Sequence, residues 1–242
     1  MEAGLAILIV LTLGLAGAAG VLSPRATERE QNETAAENDS TKASQENENK
    51  TSASNPDTEE TQETIANGQY PIMGSSNITV QEMVDYFNAS GEVYPAEELS
   101  EGGAYSIETF CQMYYDEATA EGVRPEVAFA QTMKETGFLQ YGGDASIEQF
   151  NFAGLGTTGN GVPGNSYPDV QTGIRAQIQH LKAYATADAL NQECVDDRYE
   201  YVKKGSAPYV QWLGQQENPE GLGWATGDNY GYDIVGMIEE MM

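Results

Sequence analysis

The chain has 242 residues, 38 of them acidic against 11 basic, for a net charge of −27. A surface of that sign repels phosphate backbones and anionic lipid headgroups, so no nucleic-acid partner is expected, nor electrostatic adhesion to lipid. One histidine and two cysteines do not make a zinc ligand set, and no spaced Asp loop for calcium occurs, so neither a metal nor a cofactor is expected.

In chain order, residues 1–22 come first. From Ala3 to Leu22 the sequence is almost wholly apolar (AGLAILIVLTLGLAGAAGVL), which reads as an export signal or a single membrane anchor. Ala16, Ala18 and Ala19 suit cleavage. Glu2, the lack of any basic residue before Arg25 and a length just sufficient to span suit an anchor that stays. Either reading puts the rest of the chain outside the cell or at its surface. Residues 23–70 are rich in Glu, Asn, Ser, Thr and Gln, with no aromatic before Tyr70. Such a segment buries too little apolar area to offset its ordering entropy, so it reads as a disordered acidic tether with a span of roughly 40 Å. Sequons at Asn32, Asn38 and Asn49 matter only in a glycosylating host.

Residues 71–242 change character, with aromatic residues, glycines and regular apolar spacing appearing together, and are long enough for one core. The pattern is mainly α. Thr79 and Glu82 make a capping box ahead of Met83, Val84 and Phe87. Ser106 caps a helix with Ile107, Phe110, Cys111, Tyr114 and Ala118 on one face. Pro125 fits the first helical position of a segment that Gly137 stops. Thr172 opens a helix carrying Ile174, Ile178, Leu181 and Ala185, and Asp228 is placed to cap a last helix with Ile234, Met237, Ile238 and Met241 facing inward. No alternating run makes a convincing strand.

Cys111 and Cys194 form either one disulfide, as an exported chain permits, or two separate thiols. Closing that loop stabilises by roughly 4–5 kcal/mol in the chain-entropy model. The sole histidine, His180, lies between core residues, and no Cys–His nucleophile motif stands out.

Carboxylates remain. In a helix from Pro125 to Thr136, Ala128, Gln131, Thr132 and Glu135 share a face opposite Val127, Ala130 and Met133. Glu135 then sits beside the carbonyl end of the helix, where partial negative charge disfavours a carboxylate. Burial near Phe138 or Tyr141 raises its pKa further, as a general acid working near neutral pH requires. The turn from Asn151 to Gly156 can bring bare backbone at Gly154 to a sugar, with Phe152 as a stacking ring. Spacing alone also fits a plain surface glutamate before a helix stop.

Four segments in order carry a resemblance: EVAFAQTMKETGF from Glu126, QFNFAGLG from Gln149, TGIRAQIQHLKAY from Thr172, and GWATGDNYGYDI from Gly223. Together they resemble the glucosaminidase domains of glycoside hydrolase family 73, over roughly Asn77 to Met242. The resemblance implies a lysozyme-like helical domain that cleaves the β-1,4 bond after N-acetylglucosamine in the glycan strands of bacterial peptidoglycan. It assigns Glu135 as general acid and Tyr230 as a tyrosine important for activity. Gln131, Phe138, Asn151, Phe152, Gly154 and Trp224 are the candidate substrate contacts. A second carboxylate is harder to find, because the insert from Thr157 to Tyr167 holds no acid. Asp169 follows it, as a distant base or as the cap of the helix near Thr172. The substrate's own N-acetyl group and a Tyr230-assisted route are the other ways to complete hydrolysis. A lytic transglycosylase, cutting after N-acetylmuramic acid, and a non-catalytic glycan-binding module are the alternative functions.

Overall fold

The computed structural model describes residues 68–159 and 161–242. The apolar segment 1–22, the three sequons and the tether up to residue 67 lie outside the described residues. No helix among the described residues is long and apolar enough to cross a membrane.

The fold is mainly helical, with α1 (Val80–Ala89), α2 (Ala96–Glu101), α3 (Ile107–Glu121), α4 (Pro125–Thr136), α5 (Val170–Ala185) and α6 (Tyr230–Met241). Short 3-10 turns occur at Ile147–Gln149, Tyr199–Tyr201 and Val210–Leu213. Among the described residues the only β pairing consists of isolated bridges. The helix starts follow the capping chemistry. Thr79 and Glu82 close the expected capping box on α1, and Ser106 accepts from Thr109 N at the start of α3. Pro125 takes the first position of α4, where its missing N–H leaves nothing unpaired. Gly137 ends that helix in the left-handed conformation, where a Cβ is costly.

Two expectations shift, and one helix is new. The fifth helix begins at Val170 rather than Thr172, because the Asp169 carboxylate accepts Thr172 N at 2.7 Å. The last helix is preceded by Asn229 rather than capped by Asp228. Asn229 O accepts Asp233 N at 2.8 Å, and Asn229 N donates to Glu217 Oε1 at 2.8 Å. Helix α2 was not anticipated, since AEELSE is too short and acidic to show an apolar period.

Cys111 and Cys194 are free thiols, which corrects the disulfide reading. The reason is where α3 receives the later segment. Gln192 bonds Glu117 and Glu121, and Asn191 bonds Glu121, all on the second half of α3. Cys111 lies six residues before Glu117, about 9 Å along the helix at 1.5 Å per residue, and faces the core. Exposed Cys194 instead points its Sγ at Asp196 O, 3.6 Å away.

Helix α4 is the axle of the domain, packed against α3, α5 and α6. Both of its faces are covered, so Ala128, Gln131 and Thr132 are as buried as Val127, Ala130 and Met133. Only Lys134 and Glu135 of this helix escape full burial. Around it, α3 and α5 are tied by two ion pairs, Glu117–Arg175 at 2.8 Å and Glu121–Lys182 at 2.9 Å. The aromatic core of Phe110, Tyr114, Phe129 and Phe152 fills the space between these helices.

Candidate active site

A helix buried everywhere except its last turn delivers one carboxyl group to the edge of the core. Glu135 occupies that last turn, and the chain after it coils back tightly. Gly137, Phe138, Leu139 and Tyr141 all have left-handed φ, each non-glycine case costing of order 1 kcal/mol or more. The coil is held by Phe138 N on Met133 O at 2.9 Å and Tyr141 N on Thr136 O at 2.7 Å. Thr136 Oγ1 also accepts Leu139 N at 2.9 Å. The turn around Glu135 is thus over-determined by its own backbone bonds.

Tyr230, the first residue of α6, donates its hydroxyl proton to Glu135 Oε1. The approach depends on Gly231. The start of α6 lies so close to the Val210–Leu213 turn that a Cβ at Gly231 would meet Val210 O at 2.1 Å. Burial dominates the electrostatics, pushing Glu135 up from 4.5 to about 7 against the opposing pull of the Tyr230 hydrogen bond and the Lys134 charge. Tyr230 is held well above its ordinary value by burial and then by Glu135, so it stays a neutral donor. Lys134 Nζ lies 5.6 Å from the Tyr230 ring centroid and pairs with Asp233 at 2.8 Å, fixing its charge beside the site.

Behind Tyr230 runs a buried polar chain. Gln131 Nε2 donates to Tyr230 Oη at 3.0 Å, and Gln131 Oε1 accepts from Gln177 Nε2 at 3.0 Å. Gln177 also donates to Ala128 O at 3.0 Å and accepts from Thr132 at 2.8 Å and Tyr114 at 2.7 Å. Gln177 was missed in the sequence. The available signal was its place on α5 three residues after Ile174 and four before Leu181, a polar residue on the inward stripe.

The remaining sequence candidates separate. Gln131 is at the site, but through Tyr230 rather than facing outward. Phe138 stays partly exposed, packed on Tyr86 at 5.7 Å and Phe87 at 6.4 Å. Gly154, with φ +60°, is partly exposed in its turn. Asn151 builds that turn, its side chain bonding both Leu155 N and Leu155 O at 2.9 Å and Asn165 O at 3.1 Å. Both its Nδ2 protons are committed to the turn, and the residue is buried away from any sugar. Phe152 is 0 % exposed and packs edge-on against Phe110, 5.2 Å away. That corrects the stacking reading, because the ring belongs to the core. Trp224 is 6 % exposed, covered by His180 at 4.8 Å and Tyr184 at 5.6 Å. Asp169 is engaged at the start of α5. His180 Nδ1 lies 2.6 Å from Asp196, a buried pair supporting that aromatic group.

A 420 Å³ cavity lies at the other end of α4, lined by Tyr70, Arg124, Glu126, Val235 and Ile238 among others. It contains none of the candidate residues. Among the described residues, no cluster of three or more His, Cys, Asp or Glu could hold a metal ion.

Comparison with known proteins adds the following. An uncharacterized protein of Borreliella burgdorferi is 44% identical over 104 residues, 43% of this chain and 51% of that protein. The chain therefore spans about half the length of this curated relative. No solved structure matches. The glucosaminidase family model, described as mannosyl-glycoprotein endo-beta-N-acetylglucosaminidase, matches residues 111–242, which take in α4, the Asn151 turn, α5 and α6. With more than half of its length matched, and with Glu135 and Tyr230 inside the matched region, the chain belongs to the glucosaminidase family.

Proposed function

We propose that the protein is a peptidoglycan hydrolase that cleaves the β-1,4 bond after N-acetylglucosamine, on a lysozyme-like helical scaffold, with Glu135 as general acid. One observation carries the reading. Glu135 is the carboxyl at the end of an otherwise buried helix, and burial raises it to about 7, so it holds a transferable proton near neutral pH. The proton passes to the glycosidic oxygen as the C1–O bond breaks, leaving positive charge on the sugar ring. The neutral Tyr230 hydroxyl donates to the Glu135 carboxylate so formed and stabilises the group that lies against that charge.

Asp169 is engaged as a helix cap. We therefore assign the nucleophile to the substrate's own N-acetyl oxygen, which attacks C1 and closes a cyclic intermediate. Glu135, now ionised, takes a proton from the water that opens it, which restores the acid. The partly exposed Phe138 ring and the Gly154 backbone are the surfaces offered to the glycan. Residues 1–22, as an export signal or membrane anchor, would put this domain outside the cell, against the wall.

The test is the Glu135→Gln protein on purified cell walls. Loss of lysis with an unchanged circular dichroism spectrum supports the reading, and undiminished lysis sinks it. Wall pull-down without any soluble fragment from the unmodified protein would instead mark a glycan-binding module.

A further inference from the structure

A tyrosine hydroxyl has one proton to give, and at Tyr230 two partners compete for it, Glu135 Oε1 and the Gln131 side chain. Which one receives it depends on which end of the Gln131 amide faces the tyrosine. A glutamine amide can be turned over with little change in shape, so its orientation must be imposed by neighbours. Here the imposition starts at a group that cannot donate. Ala128 O, a backbone carbonyl, lies 3.0 Å from Gln177 and accepts only an N–H, so Gln177 presents Nε2 there. Its oxygen then faces the Thr132 and Tyr114 hydroxyls, which also share a hydrogen bond with each other at 2.5 Å, and both its N–H groups are committed, to Ala128 O and to Gln131. The second Nε2 proton goes to Gln131, which must answer with Oε1. Gln131 therefore turns Nε2 toward Tyr230, and Tyr230 must accept there. Its only proton is directed to Glu135 Oε1.

We propose that Gln177 and Gln131 form an amide relay that fixes Tyr230 as donor to Glu135 Oε1 and so keeps the transferable proton of Glu135 on Oε2. Gln131, Gln177 and Ala128 are fully buried, so water cannot substitute for a missing member. Both glutamines are positioning residues that act through Tyr230. The inference rests on the reading of Glu135 as the general acid. A relay of this kind also explains the buried glutamine on the apolar stripe of α5, which packing alone would fill with a hydrophobic side chain.

The test follows the Glu135 carboxyl by carbon-13 NMR titration, its resonance identified by its loss in Glu135→Gln. Tyr230→Phe removes the donated bond and raises the midpoint. Gln131→Met and Gln177→Met keep side-chain length but carry no amide. The first removes the N–H that polarises the Tyr230 hydroxyl, and the second lets the Gln131 amide turn its oxygen to Tyr230. In both, the bond to Glu135 weakens and the midpoint rises too. Their kcat on wall fragments falls about tenfold, the equivalent of one hydrogen bond, with KM unchanged. In the Tyr230→Phe background, Gln131→Met adds no further shift. A midpoint unmoved by Gln131→Met, or moved equally with and without Tyr230, overturns the relay. Should the methionine variants not fold, neutron diffraction from the deuterated native protein reads the same point. The tyrosine deuteron lies toward Glu135 if the relay is right and toward Gln131 if it is wrong. These outcomes are separate from Glu135→Gln lysis, whose persistence would remove the general acid itself and leave the hydrogen-bond geometry standing.

Discussion

A carboxyl group titrating near neutrality costs the fold something. Glu135 is raised from 4.5 to about 7, chiefly by burial. Below pH 4.5 both folded and unfolded chains bind its proton, whereas between 4.5 and 7 the folded chain binds more. Stability from this residue is therefore full in acid and declines as pH rises through that window, by ~3 kcal/mol in all. The Glu135→Gln protein escapes the loss. Thermal or urea unfolding should find it more stable than the native protein at pH 8 and little different at pH 4; a gap that does not grow with pH would contradict the burial of Glu135. Catalysis runs the same way, since an acid must be protonated to act. The rate should fall as pH rises past about 7. Lys134→Met removes a charge that favours the carboxylate, so the falling limb of the pH–rate profile should move to higher pH.

Elements set the site by where their ends meet. The carboxyl comes from the last turn of α4 and the hydroxyl from the first residue of α6, so the geometry depends on how α6 seats on the Val210–Leu213 turn. Gly231→Ala puts a Cβ 2.1 Å from Val210 O. Activity should drop at least tenfold as Tyr230 shifts, with a smaller effect on substrate binding, as a KM-against-kcat comparison would read. Phe152→Ala should behave differently. It opens a cavity beside Phe110 and Tyr114, so a loss of about 3–5 kcal/mol in stability is expected, and activity should survive wherever the protein remains folded. These two contrasts mark what the sequence could convey. Caps and stops were legible because they are local: Thr79, Ser106, Pro125 and Gly137 act on their own helix ends. Glu135 at a helix end was legible for the same reason, and the ordered motifs supplied Tyr230. Phe152 looked like a sugar platform because an aromatic in a glycine-containing turn carries no mark of which side the core lies on. The second face of α4 read as solvent-facing because nothing local announces that a helix is central. Gln177 depends on a contact 46 residues away in the chain, beyond the reach of spacing.

At the scale of the molecule, charge governs encounter. The net charge of −27 repels an anionic wall polymer, so lysis of intact walls should quicken as salt rises from 0.01 M to 0.15 M, where the screening length falls from ~30 to ~8 Å. Hydrolysis of a short uncharged oligosaccharide should stay level over the same range. Quicker lysis at low salt would mean that a positively charged face makes the contact. The family match places the chain in the glucosaminidase family, which leaves the bond it cuts as the central claim. Mass spectrometry of borohydride-reduced fragments released from purified peptidoglycan decides it most directly. The expected result is N-acetylglucosamine at every new reducing end from the native protein, and no fragments from Glu135→Gln. Anhydro-muramyl ends, or the same fragments from both proteins, would contradict it.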